Sequence, residues 1–285
     1  MSANDIDDST APLVEHLTEL RGRILWSLAA LVAAIFAVYP LASPIFNFLS
    51  QPLCNELAQR GQVCMLQLIK PQEGFFVSMN IAIFGGLVVS FPVIAYQMWR
   101  FVAPGLYKSE RNAFLPFLIA SPAMFFLGAA FAFYFVLPVA YNFFLSFQQL
   151  PGETATPEKD ALTQHLAGIV FQGSMQEYLG LTMKFILAFG LCFQMPVLLT
   201  LMGKAGMITA NGLASVRKYA LVAILVLAAV ATPPDVISQI MLFTAIYPLY
   251  EISILLIRRI EKTREARLRA EGLWVDEDQD ETPAD

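Results

Sequence analysis

Residues 16–41, HLTELRGRILWSLAALVAAIFAVYPL, decide the fold. A short polar segment holding His16, Glu19, Arg21 and Arg23 runs straight into an uncharged apolar stretch that begins at Ile24 and ends at Leu41. A helix needs about 20 predominantly apolar residues to cross a hydrocarbon core of about 30 Å, and this stretch is long enough. Residues 1–10 are polar and acidic, so nothing ahead of the stretch has the form of a cleavable secretory signal, and it is expected to stay in the membrane as the first span.

The rest of the chain repeats the theme. Of its 285 residues 57% are hydrophobic and 14% charged, and an ordinary soluble domain carries about 25% charged residues. Further apolar runs occupy residues 75–101, 113–144, 179–202, 219–231 and 237–257. The expected fold is therefore all-α: a polytopic membrane protein with six transmembrane helices, the last two short. Residues 219–231 would cover only about 20 Å, so span five needs snorkelling by Arg217 and Lys218 or local thinning of the lipid. Pro92, Pro116, Pro122, Pro138, Pro196 and Pro248 lie within spans, where each removes a helical hydrogen bond and bends its helix. No internal repeat is evident, which weighs against an inverted-repeat transporter.

Charge sets the expected orientation. Arg21, Arg23, Arg100, Lys108, Arg111, Lys204, Arg217, Lys218 and the six basic residues from Arg258 to Arg269 fall on one side of the alternating pattern. Arg60, Lys70 and Lys159 fall on the other, and Lys184 lies within a span. The positive-inside rule then places both termini in the cytoplasm. Three parts are expected: a disordered acidic N-terminus (1–10), a six-span membrane domain (11–260) and a charged cytoplasmic tail (261–285). Two long outer connections, 42–74 and 145–178, contrast with a third of four residues, Thr232-Pro233-Pro234-Asp235.

Several function classes drop out. A net charge of −5, carried mostly by the tails, offers nothing to nucleic acid. The chain has two histidines and no HExxH, GxSxG or phosphate-loop motif, so an enzyme is not expected. Cys54 and Cys64 share the first outer connection, on a side that permits disulfides, and a bridge between them is left open. Neither has the neighbours of a metal ligand.

Polar residues near the inner face stand out. Leu13, Leu17, Leu20 and Ile24 form one stripe, so residues 12–23 read as an amphipathic helix lying at the cytoplasmic surface. Glu19 then lies within one turn of His16 and Arg23, and the simplest reading is a local pair with Arg23. In the loop PGLYKSER, residues 104–111, Glu110 is the only acid of the short inner loops; on its own it reads as a carboxylate at the start of span three. Gln194, Gln239 and Glu251 sit within spans, where a polar side chain must face a partner, water or another helix. Lys184 reads as a snorkelling lysine and Asp235 as a cap for span six.

The chain resembles the TatC family of the twin-arginine protein translocase. The resemblance rests on HLTELRGR at 16–23, Gln51-Pro52-Leu53, the run YQMWRFVAPGLYKSER at 96–111, Phe189-Gly190 through Pro196-Val197, and Thr232-Pro233-Pro234-Asp235 with Ser238-Gln239. It implies a cupped six-helix scaffold in a bacterial inner membrane. The scaffold's cytoplasmic face binds the paired arginines of signal peptides on folded precursors, for export driven by the proton gradient. Carried over residue by residue, it implies peptide-binding roles for Glu19 and Glu110, with Arg21, Phe101, Pro104 and Tyr107 around them. It assigns Pro52 to the first periplasmic loop. It implies contact with the single-span subunits TatB and TatA at Gln194, Thr232, Asp235 and Gln239. The family usually carries glutamate where Gln194 stands, so a role needing a titrating group is in doubt there. The alternative from the residues alone is a small-solute secondary transporter, which should show polar stripes converging from several spans.

Overall fold

The computed structural model describes residues 4–102, 115–148, 171–231 and 236–270. Helix α1 (Asn4–Val38) carries the first apolar run, and a 3-10 turn at Tyr39–Leu41 separates it from α2 (Ala42–Gln59). Strand β1 (Leu66–Gln67) precedes α3 (Glu73–Val102). Next come α4 (Leu115–Phe131), a π-helical segment (Ala132–Val136) and α5 (Leu137–Leu145), which together form one continuous rod. Strand β2 (Gly173–Ser174) leads into α6 (Met175–Cys192) and α7 (Met195–Lys204). The chain closes with α8 (Ala210–Ser215), α9 (Arg217–Ala231) and α10 (Val236–Ala270).

Among the described residues, five helical stretches are long and apolar enough to cross a membrane: Leu17–Gln59, Glu73–Phe101, Pro116–Leu145, Met175–Lys204 and Val236–Arg267. Helix α9, with 15 residues, is the compressed sixth, rising about 22 Å.

Cross-helix contacts sort the element ends into two groups. Arg23 meets Gln97, the Trp99 ring faces Phe117, Lys204 lies over Phe117, and Glu261 reaches Ala210. The part of α1 around Arg23, the end of α3, the start of α4, the end of α7 and the late turns of α10 thus share a terminal end. Tyr178 bonds Leu49, Arg60 bonds Leu145, and β1 pairs with β2 in parallel, which gathers α2, the end of α5 and the start of α6 at the far end.

Small residues let the helices close. A Cβ on Gly86 would lie 2.6 Å from Ile35, and one on Gly128 would lie 2.6 Å from the Phe189 carbonyl oxygen, so glycine is required where α3 meets α1 and where α4 meets α6. Phe125, Phe185, Phe189, Leu242, Ile246 and Ile254 fill the interior. Trp26, Phe36, Phe135 and Val230 face outward, which suits a hydrocarbon solvent.

Several expectations need correction. The amphipathic segment at 12–23 is not a separate surface helix: α1 is continuous through it, and Leu17 and Ile24 of its apolar stripe are 61% and 56% exposed. In lipid the amphipathic rule inverts, and polar side chains turn toward the protein. The helix begins at Asn4, within the acidic segment expected to be disordered, because extending a helix already nucleated by the span fixes few dihedrals per new hydrogen bond. Residues 42–59 form α2, so Pro52 is buried inside a helix and not in a loop. Helix six is not short: α10 has 35 residues and runs through the expected boundary at 260, since Glu, Lys, Arg and Ala are good helix formers.

Prolines shape the spans unequally. Pro138 follows the π-helical segment, and Pro196 starts α7 where span four is interrupted at Phe193 and Gln194. Each lacks the N–H that a regular α-turn would use. Pro92, Pro122 and Pro248 lie within uninterrupted helices.

Candidate functional site

Because α1 is unbroken, Glu19 and Arg23 stand one turn apart on the face turned toward α3. Arg23 Nη2 donates to Glu19 Oε1 at 2.9 Å, and Nη1 donates to Gln97 Oε1 on α3 at 3.3 Å. The planar guanidinium fork therefore ties the carboxylate of one helix to the amide of another, which a point-like ammonium does less well. The Glu19 side chain is 35% exposed, and no described residue donates to its second oxygen. The site is thus an oriented carboxylate with acceptor capacity left over, at the rim of the terminal end. Arg21, two residues before Arg23 on α1, is exposed, and Phe101 is half-buried on the last turn of α3. Pro104, Tyr107 and Glu110 lie outside the described residues.

Gln194 sits where α6 gives way to α7 and is buried. Its Nε2 donates to the Ser121 carbonyl at 2.8 Å while Ser121 Oγ donates to its Oε1 at 2.7 Å, a closed pair between α4 and the α6–α7 junction. Gln239 Nε2 donates to the Leu225 carbonyl at 3.3 Å, linking α10 to α9. Thr232 and Asp235 lie outside the described residues. Glu251 accepts from Arg217 Nη2 at 2.8 Å and from the Tyr247 hydroxyl at 3.2 Å, which fastens the start of α9 to α10.

At the far end Cys54 and Cys64 are joined as a disulfide, and Cys192 is free. Lys184 is exposed and shares a cavity of about 540 Å³ with Glu177, Tyr141 and Tyr178. Tyr141 and Thr182 share a hydrogen bond of 2.7 Å, and Tyr178 donates to the Leu49 carbonyl at 2.6 Å.

Two contributors escape a reading of the sequence. Gln97 stands inside a quoted motif, yet no local pattern reveals that it receives a side chain 74 positions away. Glu73 is buried and accepts four hydrogen bonds, from Ile69 N, Lys70 N, Ser174 Oγ and Gln176 N. An acid at a helix start after Pro71-Gln72 is a capping signal that could have marked it.

The helical spans and their buried polar pairs define the class: an all-helical polytopic membrane protein. Residues 15–244 match the family model described as TatC, Sec-independent protein translocase protein. The Sec-independent protein translocase protein TatC of Magnetococcus marinus is 42% identical over 269 residues, covering 94% of this chain and 92% of that one. The TatC of Escherichia coli K12 is 33% identical over 247 residues, covering 87% and 88%. A solved structure titled as the twin arginine translocase receptor TatC superposes with a TM-score of 0.71 at 34% identity, covering 86% of this chain and 99% of that one. The chain belongs to the TatC family and is a component of the Sec-independent, twin-arginine protein translocase, a transport protein that works with other subunits of that complex.

Proposed function

We propose that this chain is the receptor and scaffold subunit of its translocase, binding the Arg-Arg motif of signal peptides on folded precursors at its terminal end. That end faces the cytoplasm of a bacterial inner membrane, with both termini inside. The observation that carries the reading is the second oxygen of Glu19, to which no described residue donates, beside a first oxygen already held by Arg23. A guanidinium can lay its planar fork against such a carboxylate, whereas an ammonium makes a weaker, non-directional contact. Glu110, Arg21, Phe101, Pro104 and Tyr107 complete the peptide site, and the peptide's apolar segment enters the adjoining lipid or helix groove. Gln194, Thr232, Asp235 and Gln239 contact TatB-like and TatA-like single-span subunits, and export is driven by the proton gradient.

The test is the affinity of the protein in lipid nanodiscs for a signal peptide bearing Arg-Arg against the same peptide bearing Lys-Lys. Arg-Arg binds more tightly, and Glu19→Ala or Glu110→Ala lowers its affinity about tenfold or more, as expected for hydrogen bonds to a charged group. Equal binding of both peptides, unchanged by either substitution, rules the reading out.

A further inference from the structure

At the far end, away from Glu19, a cavity of about 520 Å³ is lined by Glu56, Pro138, Val139, Asn142, Phe143, Ser146 and Ile237. It lies between the second half of α2, the last turns of α5 and the first turn of α10, at the depth where the spans end. Glu56 is only 8% exposed, and no described residue forms an ion pair with it. Arg60, one turn further along α2, is committed elsewhere: its Nη1 donates to the Leu145 carbonyl at 2.7 Å and its Nη2 to the Asn142 carbonyl at 3.0 Å. Among the described residues the carboxylate is held by Asn142, whose Nδ2 donates to Glu56 Oε2 at 2.9 Å. A buried carboxylate at membrane depth with no ion pair among the described residues is costly, and a bound cation would stabilise it.

The donors and acceptors of the cavity define what fits. Asn142 has its Nδ2 directed at Glu56, and Ser146 donates its hydroxyl hydrogen to the Phe143 carbonyl at 2.6 Å. On these lining residues Glu56 Oε1, Asn142 Oδ1 and Ser146 Oγ keep acceptor capacity. A primary ammonium offers three N–H donors and one positive charge. The remaining wall is apolar, with Val139 51% and Ile237 37% exposed at its edge.

We infer that this cavity binds the ammonium headgroup of an ethanolamine phospholipid at the far-end membrane surface. The carboxylate neutralises the charge, Asn142 and Ser146 take further N–H groups, and the glycerol and upper acyl carbons lie along Pro138, Val139, Phe143 and Ile237. A choline headgroup carries the same charge and no N–H donor, so it cannot satisfy the acceptors. A lysine-bearing partner helix shares the charge but would not bring an acyl chain to the apolar wall.

The experiment titrates the purified full-length protein in detergent, disulfide intact, with phosphatidylethanolamine and its mono-, di- and trimethylated analogues, counting bound lipid by native mass spectrometry. Occupancy falls with each methyl group, and the trimethyl form binds about tenfold more weakly. Glu56→Gln brings the ethanolamine lipid down to the level of the choline lipid, while Glu177→Gln, in the neighbouring cavity, leaves the preference intact. If Glu56→Gln does not fold, the methylation series on the unaltered protein decides alone. Equal retention of all the lipids, or an ethanolamine preference that survives Glu56→Gln, overturns the inference. So does a result in which lipid binding shows no preference but Glu56→Gln releases a partner subunit, which assigns the carboxylate to a cationic protein.

Discussion

Gln194 and Ser121 hold each other through two hydrogen bonds, one to the serine hydroxyl and one to its carbonyl, of 2.7 Å and 2.8 Å. The pair bridges α4 to the point where span four is interrupted, so it supports the bundle at its least regular position. Gln194→Leu leaves the buried Ser121 hydroxyl without its partner and costs about 1–3 kcal/mol of stability. Ser121→Ala costs less, since the glutamine keeps its bond to the carbonyl. Because the two residues act on one another, the double substitution costs less than the sum of the singles. Thermal unfolding in detergent across the four proteins measures this; strict additivity would show that the pair contributes nothing as a unit.

Glu73 gathers donors from two separate connections, with Ile69 and Lys70 on one side and Ser174 and Gln176 on the other. The carboxylate is thereby the lock of the far end, next to the β1–β2 pairing. Glu73→Gln replaces one acceptor oxygen by an amide NH2 group that faces donors, so repulsion adds to the lost bonds. The expected outcome is a melting temperature lower by several degrees and faster proteolysis near residues 66–73, while Glu177→Gln changes neither. Limited proteolysis followed by mass spectrometry locates the cut.

The spans were legible because an apolar run of about 20 residues has few alternatives in any solvent. Pro138 and Pro196 marked two of the irregularities among the described spans, where an N–H is missing. Helix α2 was not legible: it is only moderately apolar and carries Pro52, which reads as a breaker when its neighbours are unknown. The late turns of α10 were missed for a different reason. Their charges suit both a solvated tail and a helix, and the choice is made by Glu261 accepting from Ala210 N. At the candidate site the Glu19–Arg23 pair followed from one-turn spacing, whereas Gln97, Ser121 and Asn142 are neutral partners brought in from distant helices. Neutral polar residues carry no local pattern that names their partner.

Arg23 has two opposing effects on Glu19: it orients the carboxylate and it offsets its charge. Arg23→Gln removes both. In nanodiscs the Lys-Lys peptide should then bind about two- to fivefold more tightly, the range for releasing a partly exposed ion pair. The advantage of Arg-Arg over Lys-Lys should narrow, because a carboxylate free to rotate no longer presents its edge to an incoming fork. Gln97→Leu, which removes only the second anchor of Arg23, should shift both quantities in the same directions by less. If Arg23→Gln weakens both peptides equally, Arg23 contacts the peptide itself and is more than a positioning residue.

The Cys54–Cys64 bond closes a loop of sequence separation 10 that contains Arg60, and Arg60 covers the last carbonyls of α5 through Leu145 and Asn142. Those carbonyls already accept from Ser146 N and Gln148 N, and they lie at the negative dipole end of the helix, so a guanidinium adds charge-assisted bonds there. Closing a loop of this size restricts the unfolded chain by about 2–3 kcal/mol. Reduction should therefore lower the unfolding temperature, and Arg60→Ala should lower it by a smaller amount in the oxidised protein. Once the bond is reduced, Arg60→Ala should cost less still, because the loop no longer holds the arginine in place. Thermal unfolding of both proteins with and without reductant, with alkylation confirming that only Cys192 reacts before reduction, gives the four values; equal effects of Arg60→Ala in both states would show that the cap does not depend on the disulfide.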